Sequence, residues 1–245
     1  MSSASNRYSM TPYDNYDIFP LGTQAILIRW APREHSQFLP YLLAIKNRLV
    51  LHFEVEVVHT YAQILLKMAP SPAVLKQLKK LLDQEIEPLA NKSVIHHIPV
   101  CYDLEFGLDL NAFTKAKQVA PQTIIDWHCA PRYTIAFLGF LPGFPYLTGL
   151  DPRLHFPRKK KPAFNIPKGA VAIGGSQTGI YPQESPGGWH IIGNTPIRLF
   201  DPKANNPSPF SPGDQIQFNP VSFSKYNTIA QKVARGTYDL KTTQS

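Results

Sequence analysis

Cysteine is nearly absent from this chain: Cys101 and Cys129 are the only two in 245 residues. Two thiols exclude a disulfide-rich scaffold and any cluster of cysteine metal ligands. The N-terminal MSSASNRYSM is polar and carries no apolar core of a secretory signal, so the pair reads as reduced thiols and the compartment as the cytoplasm. Long apolar runs are also missing. None approaches the ~20 residues that span a bilayer, which excludes membrane insertion. Charge is sparse at 17%, with a net +8 whose one dense run is Arg158, Lys159, Lys160 and Lys161. No zinc, helix-turn-helix or RNA-binding motif accompanies that run, so it reads as a solvated loop rather than a nucleic-acid footprint, with Arg158 set apart below.

Self-sufficient catalytic motifs are missing as well. The chain has no G-x-x-x-x-G-K-[ST], H-E-x-x-H, G-x-S-x-G or C-x-x-C, and is not expected to work alone as an ATP-using enzyme. His96 and His97 are adjacent within SVIHHIPV, so in a strand they point to opposite faces and cannot share one metal. No metal site is expected.

What is present is a concentration of glycine. Ten of the 14 glycines lie between Gly139 and Gly193, among FLGFLPGFPYL at 137–147 and GGSQTGIYPQESPGGWHIIGNTP at 174–196. Glycine admits positive φ or close approach and proline fixes φ, so this mixture with Phe, Tyr, Trp and Gln describes shaped turns between short strands. The strands are AVAI at 170–173, WHII at 189–192, PIRLF at 196–200 and QIQF at 215–218.

Upstream, residues 1–17 read as a flexible arm, and QAILIRW at 24–30 as the first strand. Phe38, Leu42, Ile45 and Leu49 then recur at helical spacing, with Pro40 expected in the first turn. HFEVEVVH at 52–59 and TYAQILLKM at 60–68 read as a strand pair. Ser71 and Pro72 open a helix as N-cap and first residue, and SVIHHIPV at 93–100 closes a β-α-β-β-α-β order, the split ferredoxin-like arrangement. The expected divisions are an arm at 1–17, a ferredoxin-like domain at 18–100, a β-barrel domain at 101–222 and a C-terminal extension, helix then loose tail, at 223–245. Between the signature loops and the first domain, DLNAFTKAKQVA and PQTIIDWHCA read as helices and RYTIAFLGF as a strand.

The residues able to carry recognition cluster in the signature. Gln177, Thr178 and Tyr181 sit on a glycine-bounded stretch, and Gly187 and Gly188 precede Trp189. Such loops aim backbone N–H groups at an anion or amide, or simply shape β-turns. Phe140, Phe144, Tyr146 and Trp189 are candidates for an aromatic wall or for ordinary core. Arg158 suits a carboxylate or phosphate. His190 is a weak acid–base candidate or a surface strand histidine, and His128 a weak site candidate or a packing residue. No catalytic residue is assigned.

GFLPGFPYL, the PR at 157–158, IPKG, AIGGSQTGIYP, SPGGWHIIGNTP, LFDP and PGD before IQF together resemble the B-subunit family of bacterial ATP-dependent 5-oxoprolinases. That family includes Kip-type inhibitors of a sensor histidine kinase, is also labelled allophanate hydrolase subunit 1, and is similar to part of the urea carboxylase carboxyltransferase region. The resemblance implies an α+β protein, a ferredoxin-like domain followed by a cyclophilin-like barrel. It implies an assembly with C-type and A-type subunits that opens 5-oxo-L-proline to L-glutamate, using ATP with magnesium bound with a partner. Its alternatives are a regulatory kinase inhibitor and a urea or allophanate carboxyltransferase-related subunit. Two departures stand out: Pro162-Ala163 where many members carry a second Pro-Arg, and Lys168 where the following turn has a small residue.

Overall fold

In the computed structural model, which describes residues 15–31, 35–90 and 93–244, the chain divides into two units, residues 1–91 and 92–245. The first contains strand β1 (Tyr16–Leu21), strand β2 (Ala25–Trp30), helix α1 (His35–Phe53), strands β3 (Val57–His59) and β4 (Gln63–Leu66), and helix α2 (Pro72–Leu82). The strands form an antiparallel sheet in the order β1-β2-β4-β3. Alternation decides which side is buried: Ile26, Ile28, Trp30, Ile64 and Leu66 meet Leu42, Ile45 and Leu49 of α1 and Leu78 and Leu82 of α2. Each such side chain contributes roughly 1.5–3 kcal/mol on full burial. Ser71 caps α2 as the sequence predicts, its hydroxyl accepting the Val74 N–H at 3.3 Å.

Several expectations for this half are corrected. Tyr16 and Asp17, assigned to a flexible arm, begin β1, while residues 1–14 of that arm lie outside the described residues. Pro40 lies inside α1, beyond its first turn. The alternating HFEVEVVH is helical as far as Phe53, because Glu54 takes φ +53° and its N–H bonds the Val50 carbonyl, ending the helix there and leaving three residues for the strand. The largest change concerns 93–100. This strand does not complete the first sheet, where β1 occupies the edge beside β2; it belongs to the second unit, and the division falls at 91–92 rather than after 100.

The second unit begins with that strand, β5 (Val94–Val100), and continues through helices α3 (Leu110–Lys117) and α4 (Pro121–Cys129). Strands β6 (Tyr133–Leu138), β7 (Pro145–Thr148), β8 (Ala163–Ile166), β9 (Ala170–Gly174), β10 (Gln177–Ile180), β11 (Ser185–Gly187), β12 (His190–Asn194) and β13 (Gln215–Pro220) follow, then helix α5 (Phe223–Ala234) and strand β14 (Thr242–Gln244). The main sheet runs β12-β9-β10-β7-β6-β13-β5-β14, with β5 parallel to β13. Two reciprocal backbone bonds of 2.9 Å join Cys101, just past β5, to Asn194 of β12. The row of strands from β12 to β5 therefore returns on itself, which removes two exposed edges.

Inside it lie Ile98, Val100, Tyr133, Ile135, Leu147, Val171, Ile173, Ile180, Ile216 and Phe218. PIRLF at 196–200, expected as a strand, forms no ladder, although Ile197 and Leu199 are buried. The C-terminal segment is no loose extension: Ile229 of α5 is buried in this core, and β14 pairs with β5. The protein is thus a mixed α+β chain dominated by sheet.

Candidate functional site

The hairpin loop between β6 and β7, the turn before β8 and the segment 181–189 converge on one pocket of about 280 Å³. Phe144, Tyr146, Tyr181 and Trp189 form its aromatic wall, Phe140, Pro162 and Pro186 its apolar rim, and Arg158, Gly187 and Gly188 complete the lining. The wall is a box of edge-to-face rings: Phe144 meets Tyr181 at 5.1 Å and 89°, and Trp189 at 5.5 Å and 81°, while Tyr146 meets Trp189 at 5.8 Å and 79°. Such geometry sets positive ring edges against negative faces.

Glycine is what lets those rings in. A Cβ on Gly174 would stand 2.4 Å from the Trp189 indole, one on Gly179 2.9 Å from the Phe144 ring, and one on Gly187 2.4 Å from the Tyr181 hydroxyl. The glycine concentration of the sequence is therefore a mould for aromatics as well as a set of turns. Phe140 adds a strained element. It holds φ +66° and is 60% exposed, its ring edge-on to Phe144 at 5.7 Å. A non-glycine residue there costs about 1–3 kcal/mol, a cost found mostly at binding sites.

Among the described lining residues the one cation is Arg158, whose guanidinium carbon lies 5.7 Å from the centre of the Trp189 ring. No carboxylate among the described residues pairs with it. Two phenols face the same space. Burial pushes Tyr181 up to about 12, reinforced by Tyr146 and opposed by the Trp189 backbone N–H and Arg158. Burial raises Tyr146 too, against the pull of Arg158. Both stay protonated at neutral pH and can each donate one hydrogen bond. The pocket thus offers a planar cation, neutral hydroxyls and flat apolar walls, with no carboxylate or imidazole among its described lining residues. Chemically, such a set suits holding a small flat anion more than acid–base chemistry.

Of the residues singled out in the sequence, Phe140, Phe144, Arg158, Tyr181, Gly187, Gly188 and Trp189 are brought together here. Gln177 and Thr178 are not. They begin β10 rather than a loop, and the Thr178 side chain is fully buried. Its hydroxyl donates to the Ala172 carbonyl at 3.0 Å and so accepts from His128 Nε2 at 3.0 Å. This fixes the tautomer: His128 Nδ1 accepts from the Tyr102 hydroxyl at 2.8 Å. Burial alone lowers His128 to about 3, and its ring stacks on Phe218 at 4.5 Å. His128 is a neutral internal strut, not a site residue.

His190 is also turned away from the pocket, its Nε2 bonding the Pro157 carbonyl at 2.9 Å. The basic run is not uniformly solvated, since Lys159 Nζ sits 2.6 Å from Asp109 Oδ2 with both side chains about four-fifths covered. His96 and His97 do diverge, to Asp214 and Thr243 respectively, and no group of ligands able to hold a metal occurs among the described residues. Both cysteines are free, and burial raises both thiols. No described helix is long and apolar enough to cross a membrane. Pro162 and Pro186 went unrecognised as pocket residues; only their nearness to Arg158 and Gly187 signalled them.

Comparison with known proteins places this geometry. Residues 16–210 match the family described as carboxyltransferase domain, subdomain C and D. The 5-oxoprolinase B-subunit of Bacillus subtilis (strain 168) is 40% identical over 164 residues, 67% of this chain and 68% of the relative. That of Haemophilus influenzae is 48% identical over 121 residues, 49% of this chain and 57% of the relative. Among solved structures, TTHA0988 superposes with a TM-score of 0.70 at 29% identity, covering 82% of this chain and 40% of its own. The Kluyveromyces lactis urea amidolyase shares the fold, with a TM-score of 0.78 at 20% identity over 94% of this chain and 16% of its own. With the match running from β1 to Phe210, the chain belongs to the carboxyltransferase subdomain C and D family, and within it to the 5-oxoprolinase B-subunit group.

Proposed function

We propose that this chain is the B-type subunit of a cytoplasmic, ATP-dependent 5-oxoprolinase assembly, and that its pocket holds 5-oxo-L-proline. The observation that carries this reading is Arg158, a guanidinium with no carboxylate partner among the described residues, set against Trp189 at the side of an aromatic box. The substrate carboxylate would take the guanidinium bidentately, as planar carboxylates do. Its flat five-membered ring would lie among Phe144, Tyr146 and Trp189, with the Tyr146 and Tyr181 hydroxyls in reach of the lactam oxygen. We take the first unit as ferredoxin-like, with β1 at the edge where the final strand was expected, and the closed sheet of the second as cyclophilin-like.

The lactam is a poor electrophile. Transfer of the terminal phosphoryl group of ATP to the lactam oxygen would release ADP and make that oxygen a leaving group; water would then add to the ring carbon, inorganic phosphate would depart and the C–N bond would open to give L-glutamate. Among the described residues the lining has a single cation, Arg158, and no helix N-terminus, which suits a small monoanion better than a triphosphate. We therefore assign ATP and its magnesium to a partner, in an assembly with A-type and C-type subunits, and to this chain the binding and shielding of the lactam.

The test is ATP-dependent glutamate release from 5-oxo-L-proline by the reconstituted assembly, omitting each subunit in turn and substituting Arg158→Gln. Turnover that needs this chain, with KM raised roughly tenfold or more by the substitution, is the expected result. Turnover indifferent to this chain would overturn the reading. The Kip-type regulatory alternative rests on Ala163, which opens β8 beside Pro162 where a second arginine is expected. A well-folded assembly without turnover would favour it.

A further inference from the structure

Arg158 stands in the irregular stretch between Phe156 and β8, so nothing in its own element holds it still. A guanidinium that must meet a carboxylate needs its backbone fixed to within about half an ångström. Its two chain neighbours are tied to His190, which begins β12, and to Gly188, which lies between β11 and β12. The Pro157 carbonyl accepts from His190 Nε2 at 2.9 Å, and the Lys159 N–H donates to the Gly188 carbonyl at 2.7 Å. The Lys159 side chain then crosses to Asp109, Nζ to Oδ2 at 2.6 Å. That same Oδ2 accepts the Ile191 N–H at 2.7 Å, while the Asp109 N–H donates to the Ile191 carbonyl at 2.8 Å. One carboxylate at the head of α3 therefore clasps both β12 and the residue that follows Arg158.

From this juxtaposition we propose that Asp109 and Lys159 are positioning residues, which fix Arg158 over the aromatic pocket and thereby set affinity for the carboxylate of the bound ligand. The inference rests on the reading of Arg158 given above. Neither residue lines the pocket, so their influence has to pass through the backbone of the turn. The ion pair is mostly covered, with 22% and 18% of the two side chains exposed. Loss of one partner leaves the other poorly solvated and free to pull the turn away from β12.

The experiment compares KM for 5-oxo-L-proline in the reconstituted assembly for the parent, Asp109→Asn, Lys159→Gln, Arg158→Gln and the Asp109→Asn/Arg158→Gln double variant. Asparagine keeps an acceptor for Ile191, and Lys159→Gln leaves the Asp109–Ile191 bonds intact, so at least one variant retains the local fold. Either single change at the ion pair should raise KM about three- to tenfold with kcat nearly unchanged, and Asp109→Asn should add less than about twofold once Arg158 is gone. Inhibition by 2-pyrrolidone, which has the lactam but no carboxylate, should not move. An unchanged KM in both Asp109→Asn and Lys159→Gln, alongside a raised KM in Arg158→Gln, overturns the inference and spares the reading of Arg158. Additive effects in the double variant overturn it also. An unchanged KM in Arg158→Gln removes the reading on which it rests.

Discussion

At the scale of single residues, the pocket is set by pairs of a glycine and an aromatic ring, and adjacent glycines differ sharply in what they tolerate. A Cβ on Gly187 would lie 2.4 Å from the Tyr181 hydroxyl and 2.6 Å from Ile166 Cδ1, both in a packed cluster. A Cβ on Gly188 would find only the Lys159 carbonyl at 3.6 Å, an ordinary contact. Gly187→Ala should therefore cost about 1–3 kcal/mol of stability by overpacking and displace Tyr181 from the pocket. Gly188→Ala should change stability by less than about 0.5 kcal/mol, as substitutions clear of packed features do. Urea unfolding of the two variants, with KM for 5-oxo-L-proline in the assembly, checks both. Equal destabilisation would show that the Gly187–Tyr181 contact does not govern the packing.

At the scale of elements, the decisive contacts are those that join β5 to its neighbours. Its parallel partner β13 lies more than a hundred residues downstream, and β14 arrives from the C-terminal tail. The two C-terminal elements contribute unequally. β14 is exposed along its length, whereas α5 buries Ile229, packs Val233 against the core, and sends the Tyr226 hydroxyl to Asn194 at 2.8 Å. Truncation after Leu240 should cost no more than about 1 kcal/mol, while truncation after Ser222 loses buried Ile229, worth roughly 1.5–3 kcal/mol, together with the partly buried Val233, Tyr238 and Leu240, and should destabilise the second unit by several times as much. Circular dichroism melts of the two truncated chains decide this.

The same elements show what the sequence made legible. SVIHHIPV was legible as a strand, yet a strand carries no mark of its partner, and nothing marked the residues of β1, read in part as a flexible arm and carrying Pro20, as the strand that takes the edge beside β2. The pocket wall was readable because glycine and proline spacing exposes a demand for shaped turns around Phe144, Tyr181 and Trp189. Gln177 and Thr178 were misplaced because a glycine on each side suggested a loop where β10 pairs with β9 and β7. Asp109 gave no local signal at all, since its partners Lys159 and Ile191 meet it only in the folded chain.

At the scale of the whole molecule, the buried chain from Tyr102 through His128 and Thr178 to Ala172 makes folding sensitive to protons. It links α4 to β10 and β9 across the interior, and every hydrogen in it has one direction. His128 is completely buried, and desolvation lowers it from an ordinary 6.5 to about 3. Because the folded value is depressed, the unfolded chain binds a proton below pH 6.5 that the folded chain refuses. Stability is therefore intact above that value and declines as pH falls toward 3, by up to about 1.4 kcal/mol per pH unit. Urea unfolding between about pH 7 and about pH 4.5 should show this slope in the parent, and a shallower one in His128→Gln, whose amide does not titrate. Parallel slopes for the two proteins would mean that His128 is solvated or protonated in the folded state. Such an outcome would break the proton order deduced from Thr178, because a charged imidazole donates at both nitrogens and the Tyr102 hydroxyl would have to turn toward Cys129, 3.3 Å away.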